Sequence, residues 1–362
     1  MPRGIDKYML GAALALLLLG FMMILSASPA SAARISADGF YFSKRQLAYL
    51  LLGAAVCWGA VRLDYRRLGY LAAPGLLLSL LLLGLTYIPV FRLNAGGAAR
   101  WLSLGFFSFQ PAELAKIFIV IYIARALAGK KNIRNFWRGI FPLLLVSGTV
   151  ITAILCQPDL GTSLVIAATV FLLLIAAGSN LADLFLLALL GLRALAFLVP
   201  RTPYQLERWT TFLNPEQDPL GAGYNIRQSL IAVGSGGFWG LGLGHSRQKF
   251  AYLPENFTDF IFAVICEEGG FLWGALIICA FAVLVLRGLR LTARADTPFG
   301  GFLALGFSLC LGIQALAHML VVTGWAPTKG LTLPFVSYGG TSLIVSLFML
   351  GVLLNISRHA RE

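Results

Sequence analysis

Long apolar runs alternate with short polar segments along almost the whole chain. Runs near 8–28, 46–63, 70–91, 112–128, 140–156, 160–177, 183–199, 260–286, 300–323 and 339–356 stand out. A helix needs about 20 apolar residues to cross a hydrocarbon core, so each run is read as one crossing. The pattern predicts an all-α integral membrane protein, a bundle of ten transmembrane helices forming one domain over 1–362. The first run follows Arg3 and Lys7 and ends near small residues, as a secretory signal would. Its apolar core is longer than a signal's and further spans follow, which makes it an uncleaved first helix.

One interval breaks the alternation. Residues 200–259 form a long connection between the seventh and eighth spans, and loops of that length in compact domains are functional or disordered. Its aromatics and the stretch SLIAVGSGGFWGLGLG (229–244) argue against disorder. Part of it is expected to lie at the membrane interface or to re-enter, with the glycines permitting tight turns and close packing.

Composition sharpens this picture. The chain is 59% hydrophobic and only 12% charged, with a mean hydropathy of +0.83. A water-soluble globule carries about twice that charge, so that class is excluded. The net charge of +13 is spread over short loops and reports topology and anionic phosphates rather than nucleic acid. Fifteen Lys and Arg fall on the side of the termini and six on the other, leaving 200–259 uncounted. The positive-inside rule then makes the termini cytoplasmic and 200–259 extracytoplasmic, in a multi-pass protein of the cell inner (plasma) membrane. The five cysteines lie in or beside apolar runs without a CxxC pair, so neither a disulfide framework nor a metal cluster is expected.

The polar residues inside this apolar chain are the candidate chemistry. NAGGAARWLSLGFFSFQPAELAK (94–116) carries Arg100, Glu113 and Lys116, the last two spaced to share a helix face. CQPDLGTS (156–163) places Asp159 at a turn, and GWAPTKGLTLPFVSYGGTS (324–342) holds Lys329 and Ser337. Each cluster alone reads equally as a solvated turn or an ion pair holding helices together. All of them fall at one membrane face, where random turns would populate both.

The segment 251–286 combines both kinds of residue. Thr258 is placed as an N-cap with Asp259 in the first turn of the eighth helix, where the dipole favours negative charge. A carboxylate there, beside Arg247 and Lys249, suits a general base, and a capping acid that merely starts the helix fits as well. Glu267 and Glu268 lie deeper in the same apolar run, where carboxylates are expensive, and are expected to pair structurally.

PAELAK, QPDLGTS, FLNPEQDPLGAGYNIRQSLIAVGSGG, GLGLGHSRQKFAYLPENFTDFIFAVICEEGG and PTKGLTLPFVSYGGTS occur in that order across nearly the whole chain. Together they resemble the SEDS family of bacterial cell-wall proteins (shape, elongation, division and sporulation). YFSKRQ and PTKGLTLPFVSYGG are more similar to the division and sporulation types than to the elongation type. The resemblance implies a ten-helix peptidoglycan glycosyltransferase that polymerises lipid II, joining undecaprenyl-diphosphate-linked glycan to the 4-hydroxyl of an acceptor sugar. It also implies that Asp259, in TDFIFA, is the catalytic base. Arg100, Glu113, Lys116 and Asp159 then serve the substrate, with Arg247, Lys249, Lys329 and Ser337 as further substrate contacts. A cognate class B penicillin-binding protein and other divisome proteins are the implied partners. No metal-ligand pattern is present, and a divalent cation (Mg²⁺ or Mn²⁺) would arrive with the diphosphate. The competing classes are a lipid II transporter, which needs polar groups reachable from both faces, and a non-catalytic scaffold for the penicillin-binding protein, which gives Asp259 no task.

Overall fold

A computed structural model describes all residues except 1–3, 33–37, 89–91, 96–97, 104–107, 131, 215–222, 250–252, 329 and 361–362. The chain opens with α1 (Lys7–Ala27), a short α2 (Pro29–Ala32) and α3 (Tyr41–Arg62). A 3₁₀ segment, Tyr65–Leu71, runs into α4 (Ala72–Leu85). Three strands follow, β1 (Arg92–Ala95), β2 (Ala98–Ser103) and β3 (Ser108–Phe109), then α5 (Pro111–Gly129). A single π turn, Phe136–Ile140, leads into α6 (Phe141–Leu155), and α7 (Leu160–Ala176) and α8 (Leu181–Leu198) come next. The expected long connection contains α9 (Pro203–Leu213) and α10 (Tyr224–Ser235). The chain closes with α11 (Ile261–Arg294), α12 (Pro298–Val322) and α13 (Gly340–His359).

A helix lies over every interval that the apolar runs mark. Among the described residues, six helical stretches are long and apolar enough to cross a membrane. The fold is that of a multi-helix membrane protein. The all-α expectation needs one correction: β1, β2 and β3 form a small antiparallel sheet in the order β1-β2-β3, between α4 and α5. Its strands are two to six residues long and are separated by glycines, too short for periodicity to reveal them.

Local chemistry sets the helix starts. Asp6 caps α1 by accepting from the Tyr8 and Met9 amides at 3.1 Å each and ties it to α11 through Arg287 at 2.7 Å. Pro111 occupies the first turn of α5, where its missing N–H costs nothing. Asp159 caps α7 and Thr297 caps α12. The core sits where α5, α12 and α13 meet, and α13 is buried along almost its whole length.

The 34-residue α11 is two helices joined at Gly270, whose φ of 65° and ψ of −164° lie outside any helix. The glycine-rich segment after α10 fills the break. The Leu241 and Gly242 amides donate to the Glu267 and Glu268 carbonyls at 3.0 Å each, and the Phe271 amide donates to the Gly237 carbonyl at 2.9 Å. A Cβ on Gly270 would fall 2.5 Å from the Phe238 carbonyl oxygen, so only glycine permits this approach. The backbone groups freed by the break are thereby paired inside the protein, as low-dielectric surroundings require.

Candidate active site

Asp259 lies in a turn that precedes α11 rather than in its first turn. The helix begins at Ile261 behind Phe260, which makes no side-chain cap. Thr258 is therefore not the N-cap. Its hydroxyl instead bonds the Glu255 carboxylate at 2.7 Å. Ser337 donates to the Thr258 carbonyl at 2.7 Å, and the Tyr338 amide donates to the Phe257 carbonyl at 2.9 Å. The turn is thus clamped from the loop between α12 and α13, and Ser337 acts on backbone next to Asp259.

Asp259 opens into a cavity of about 140 Å³ shared with Arg208, Asn225, Glu255, His318 and Thr328. Burial, then repulsion from Glu255, pushes its carboxyl up to about 6, against the pull of Arg208 and Arg100; Asp159 adds a smaller push. An acid tuned this way is mostly ionised at neutral pH yet binds a proton far better than an ordinary aspartate, which is what a general base requires.

Two arginines supply positive charge. Arg100, on β2, donates to the carbonyls of Gln157 (3.2 Å) and Pro158. Arg208, on α9, donates to the Thr328 carbonyl at 2.8 Å. Gly330, with φ of 61°, lies between the groups: a Cβ there would stand 3.3 Å from Asp259 Oδ2 and 3.8 Å from Arg100 Nη1. A side chain at that position would intrude between base and cation, so the glycine keeps the space between them open.

The other expected residues divide. Asp159 is buried at the head of α7, accepting from the Thr162 amide (3.0 Å), the Thr162 hydroxyl (2.8 Å) and Gln110 (3.2 Å). It shapes the loop that holds Arg100. Glu113 and Lys116 do share a face of α5, as a buried ion pair at 2.9 Å. Lys116 also reaches Gln314 on α12 at 2.6 Å, and Gln314 donates to the Thr332 carbonyl at 2.9 Å. This chain of bonds crosslinks α5, α12 and the loop carrying Gly330.

Lys249 is buried against Glu268 at 2.9 Å, with Ser26 of α1 at 3.0 Å. Glu267 accepts from the Arg247 amide at 3.0 Å and from the Ser246 hydroxyl. The two deep glutamates thus hold the 244–249 segment, which is the structural pairing expected of them. The Arg247 side chain is exposed, and it is not among the residues lining the Asp259 cavity. Lys329 lies outside the described residues.

Sequence reasoning missed Arg208, Asn225 and His318. His318 is buried in α12, its Nδ1 2.6 Å from the Leu331 carbonyl, which makes that nitrogen the donor. Arg208 had a readable signal: PYQLERWTTFL (203–213) has helical amphipathic spacing with proline in its first turn. Asn225 and His318 carried none, because they reach the cavity only through folding of distant segments. No group of three or more His, Cys, Asp or Glu side chains placed to hold a metal exists among the described residues.

Similar proteins place the chain in a family. The family model for FtsW, RodA and SpoVE, described as "Cell cycle protein", matches residues 7–362. A probable peptidoglycan glycosyltransferase FtsW from Geobacter sp. (strain M18) is 42% identical over 360 residues, covering 99% of this chain and 98% of its own. Stage V sporulation protein E from Bacillus subtilis (strain 168) is 42% identical over 349 residues, covering 96% and 95%. Among solved structures, a chain from work on "structural coordination of polymerization and crosslinking by a peptidoglycan synthase complex" superposes with a TM-score of 0.79 at 32% identity, covering 98% of both chains. The rod shape determining protein RodA of Thermus thermophilus gives a TM-score of 0.72 at 30% identity, covering 98% of this chain and 97% of its own. With the family match spanning nearly every residue, this chain belongs to the FtsW, RodA and SpoVE family of cell cycle proteins, the family its sequence resembles.

Proposed function

We propose that the chain is a peptidoglycan glycosyltransferase that polymerises lipid II during division or sporulation. The observation that carries this reading is a perturbed carboxylate, Asp259, in an enclosed cavity lined by Arg208, with Arg100 close enough to act on its charge across Gly330. The names of its relatives as peptidoglycan glycosyltransferases support it.

In the proposed reaction Asp259 takes the proton of the acceptor sugar's 4-hydroxyl. The resulting oxygen attacks the anomeric carbon of the lipid-linked glycan from the face opposite the diphosphate. The bond from that carbon to the diphosphate oxygen breaks, and undecaprenyl diphosphate leaves with its electron pair. Inversion converts an α linkage to β. A glycoside leaving group normally needs protonation by a second carboxyl group. A diphosphate leaves as a stabilised anion, so one base with Arg100 and Arg208 aimed at the developing charge suffices. A divalent cation, Mg²⁺ or Mn²⁺, would enter bound to the diphosphate substrate. Its contribution would be charge neutralisation on the leaving group.

The proposed topology has ten crossings, cytoplasmic termini, and the 200–259 connection with Asp259 on the outer face, where lipid-linked precursors are consumed. A class B penicillin-binding protein is the proposed partner, consistent with the peptidoglycan synthase complex named for one structural neighbour. The test is polymerisation of purified lipid II by the purified chain, with and without its cognate penicillin-binding protein. Glycan strands should appear and increase with the partner. Translocation of lipid II across vesicles without any polymer would favour a transporter instead.

A further inference from the structure

The end of the bundle opposite Asp259 carries a basic cavity that the proposed reaction does not use. It measures about 560 Å³ and lies between the N-terminus of α1 and the C-termini of α3 and α13, bounded by Lys7, Leu10, Trp58, Val61, Arg62 and Arg358. α1 runs 21 residues, about 30 Å at the helical rise, from this cavity to Ser26, which meets Lys249 in the segment leading to Asp259, so the two sites lie at opposite ends of the bundle.

Three features of this cavity select its ligand. First, three cations bound it, no carboxylate is among its lining residues, and none of the three is ion-paired with a carboxylate among the described residues. A neighbouring arginine cavity at the same end differs: it includes Asp64, and its Arg66 is paired with Asp296. Second, two of the cations are held in place. The Arg62 guanidinium stacks 3.9 Å from the centre of the Trp58 ring, and Arg358 donates to the Val61 carbonyl at 3.3 Å. Third, the cavity floor is apolar through Leu10, Trp58 and Val61. It continues into the exposed apolar faces of α1 (Leu14, Leu18) and α3 (Leu51, Leu52). Tryptophan is enriched at the level of lipid headgroups, and basic pockets between membrane helices bind anionic ones.

We propose that this cavity binds an anionic phospholipid, its phosphate among Lys7, Arg62 and Arg358 and its acyl chains along Leu10 and Trp58. Under the topology proposed above the lipid comes from the cytoplasmic leaflet; the binding itself does not depend on that orientation or on the proposed activity. An uncharged apolar groove would accept any lipid. The uncompensated cations make this one discriminate by headgroup.

The experiment uses the purified full-length chain, delipidated and incubated with equal phosphatidylglycerol and phosphatidylcholine of identical chains, with bound lipid counted by native mass spectrometry. Wild type should prefer phosphatidylglycerol. Each cation removed should cut that preference about fivefold, so Lys7→Gln/Arg62→Gln should lose most of it. Arg67→Gln, in the neighbouring arginine cavity, should change nothing. If the double variant does not fold, Lys7→Gln alone decides, since Lys7 is an exposed residue at the start of α1. No headgroup preference in wild type, an undiminished preference in the variants, or an equal loss in Arg67→Gln would overturn the site. Displacement of bound phosphatidylglycerol by inorganic phosphate would assign the cavity to free phosphate and overturn the lipid.

Discussion

Asp259 is set by two opposed influences, and each can be removed singly. The carboxyl stands near 6 because burial and Glu255 outweigh Arg208 and Arg100. The active form is the carboxylate, so activity should fall as pH drops through that value. Glu255→Gln removes a neighbouring negative charge, which lowers the Asp259 pKa and moves the acid limb of the rate profile to lower pH. Arg208→Gln removes a positive charge and moves the limb to higher pH. Rate profiles of the three proteins check this; identical limbs would mean that Asp259 does not govern the rate. At this scale Arg100, Glu113, Lys116, Asp159 and Asp259 were legible in the sequence because polar groups in an apolar chain are conspicuous. What each one does was not. Lys116 and Lys249 looked like diphosphate ligands until their carboxylate partners at 2.9 Å came into view. The cation that reaches the cavity, Arg208, sits in a segment read only as a loop.

The apolar runs revealed the long helices because burial in lipid demands continuous hydrophobicity. They did not reveal the break in α11: Gly270 follows Glu267, Glu268 and Gly269 inside the run, but its conformation is dictated by the 237–242 segment packed into it. The three-strand sheet was hidden because its strands are only two to six residues long, whereas the amphipathic spacing of α9 was present and went unread. The Glu113–Lys116–Gln314 crosslink supplies a prediction at this scale. Lys116→Ala strands a buried carboxylate, a change worth about 3–5 kcal/mol in folded proteins. It should lower thermal stability in detergent sharply. Glu113→Gln/Lys116→Met, which removes both charges, should recover most of that stability while still disturbing the loop that carries Gly330. Equal stability of all three proteins would show that the pair holds nothing.

The whole molecule presents opposite ends of different chemistry. One gathers a tuned carboxylate, two arginines and the glycine-rich connection; the other gathers Lys7, Arg62 and Arg358, which have no carboxylate partner among the described residues. The charge bias between loops predicts the proposed orientation, while the two cavities arise only when helix ends assemble. Orientation can be checked directly. In a background with Cys156 and Cys279 replaced, since both are exposed, a cysteine at Gln217 should react with an impermeant reagent in intact cells. One at Asn132 should not. The reverse pattern would put Asp259 on the side away from wall assembly.

The central claim is that one carboxylate performs the proton transfer. Its most direct measurement is the rate of lipid II polymerisation by Asp259→Asn, with folding and partner binding verified. Asparagine keeps the size and polarity of the side chain and removes its basicity. General-base catalysis contributes about 10² to 10⁴-fold, so the rate should fall by at least a hundredfold while Glu268→Gln costs much less. Polymerisation by Asp259→Asn within a few-fold of wild type would contradict the account.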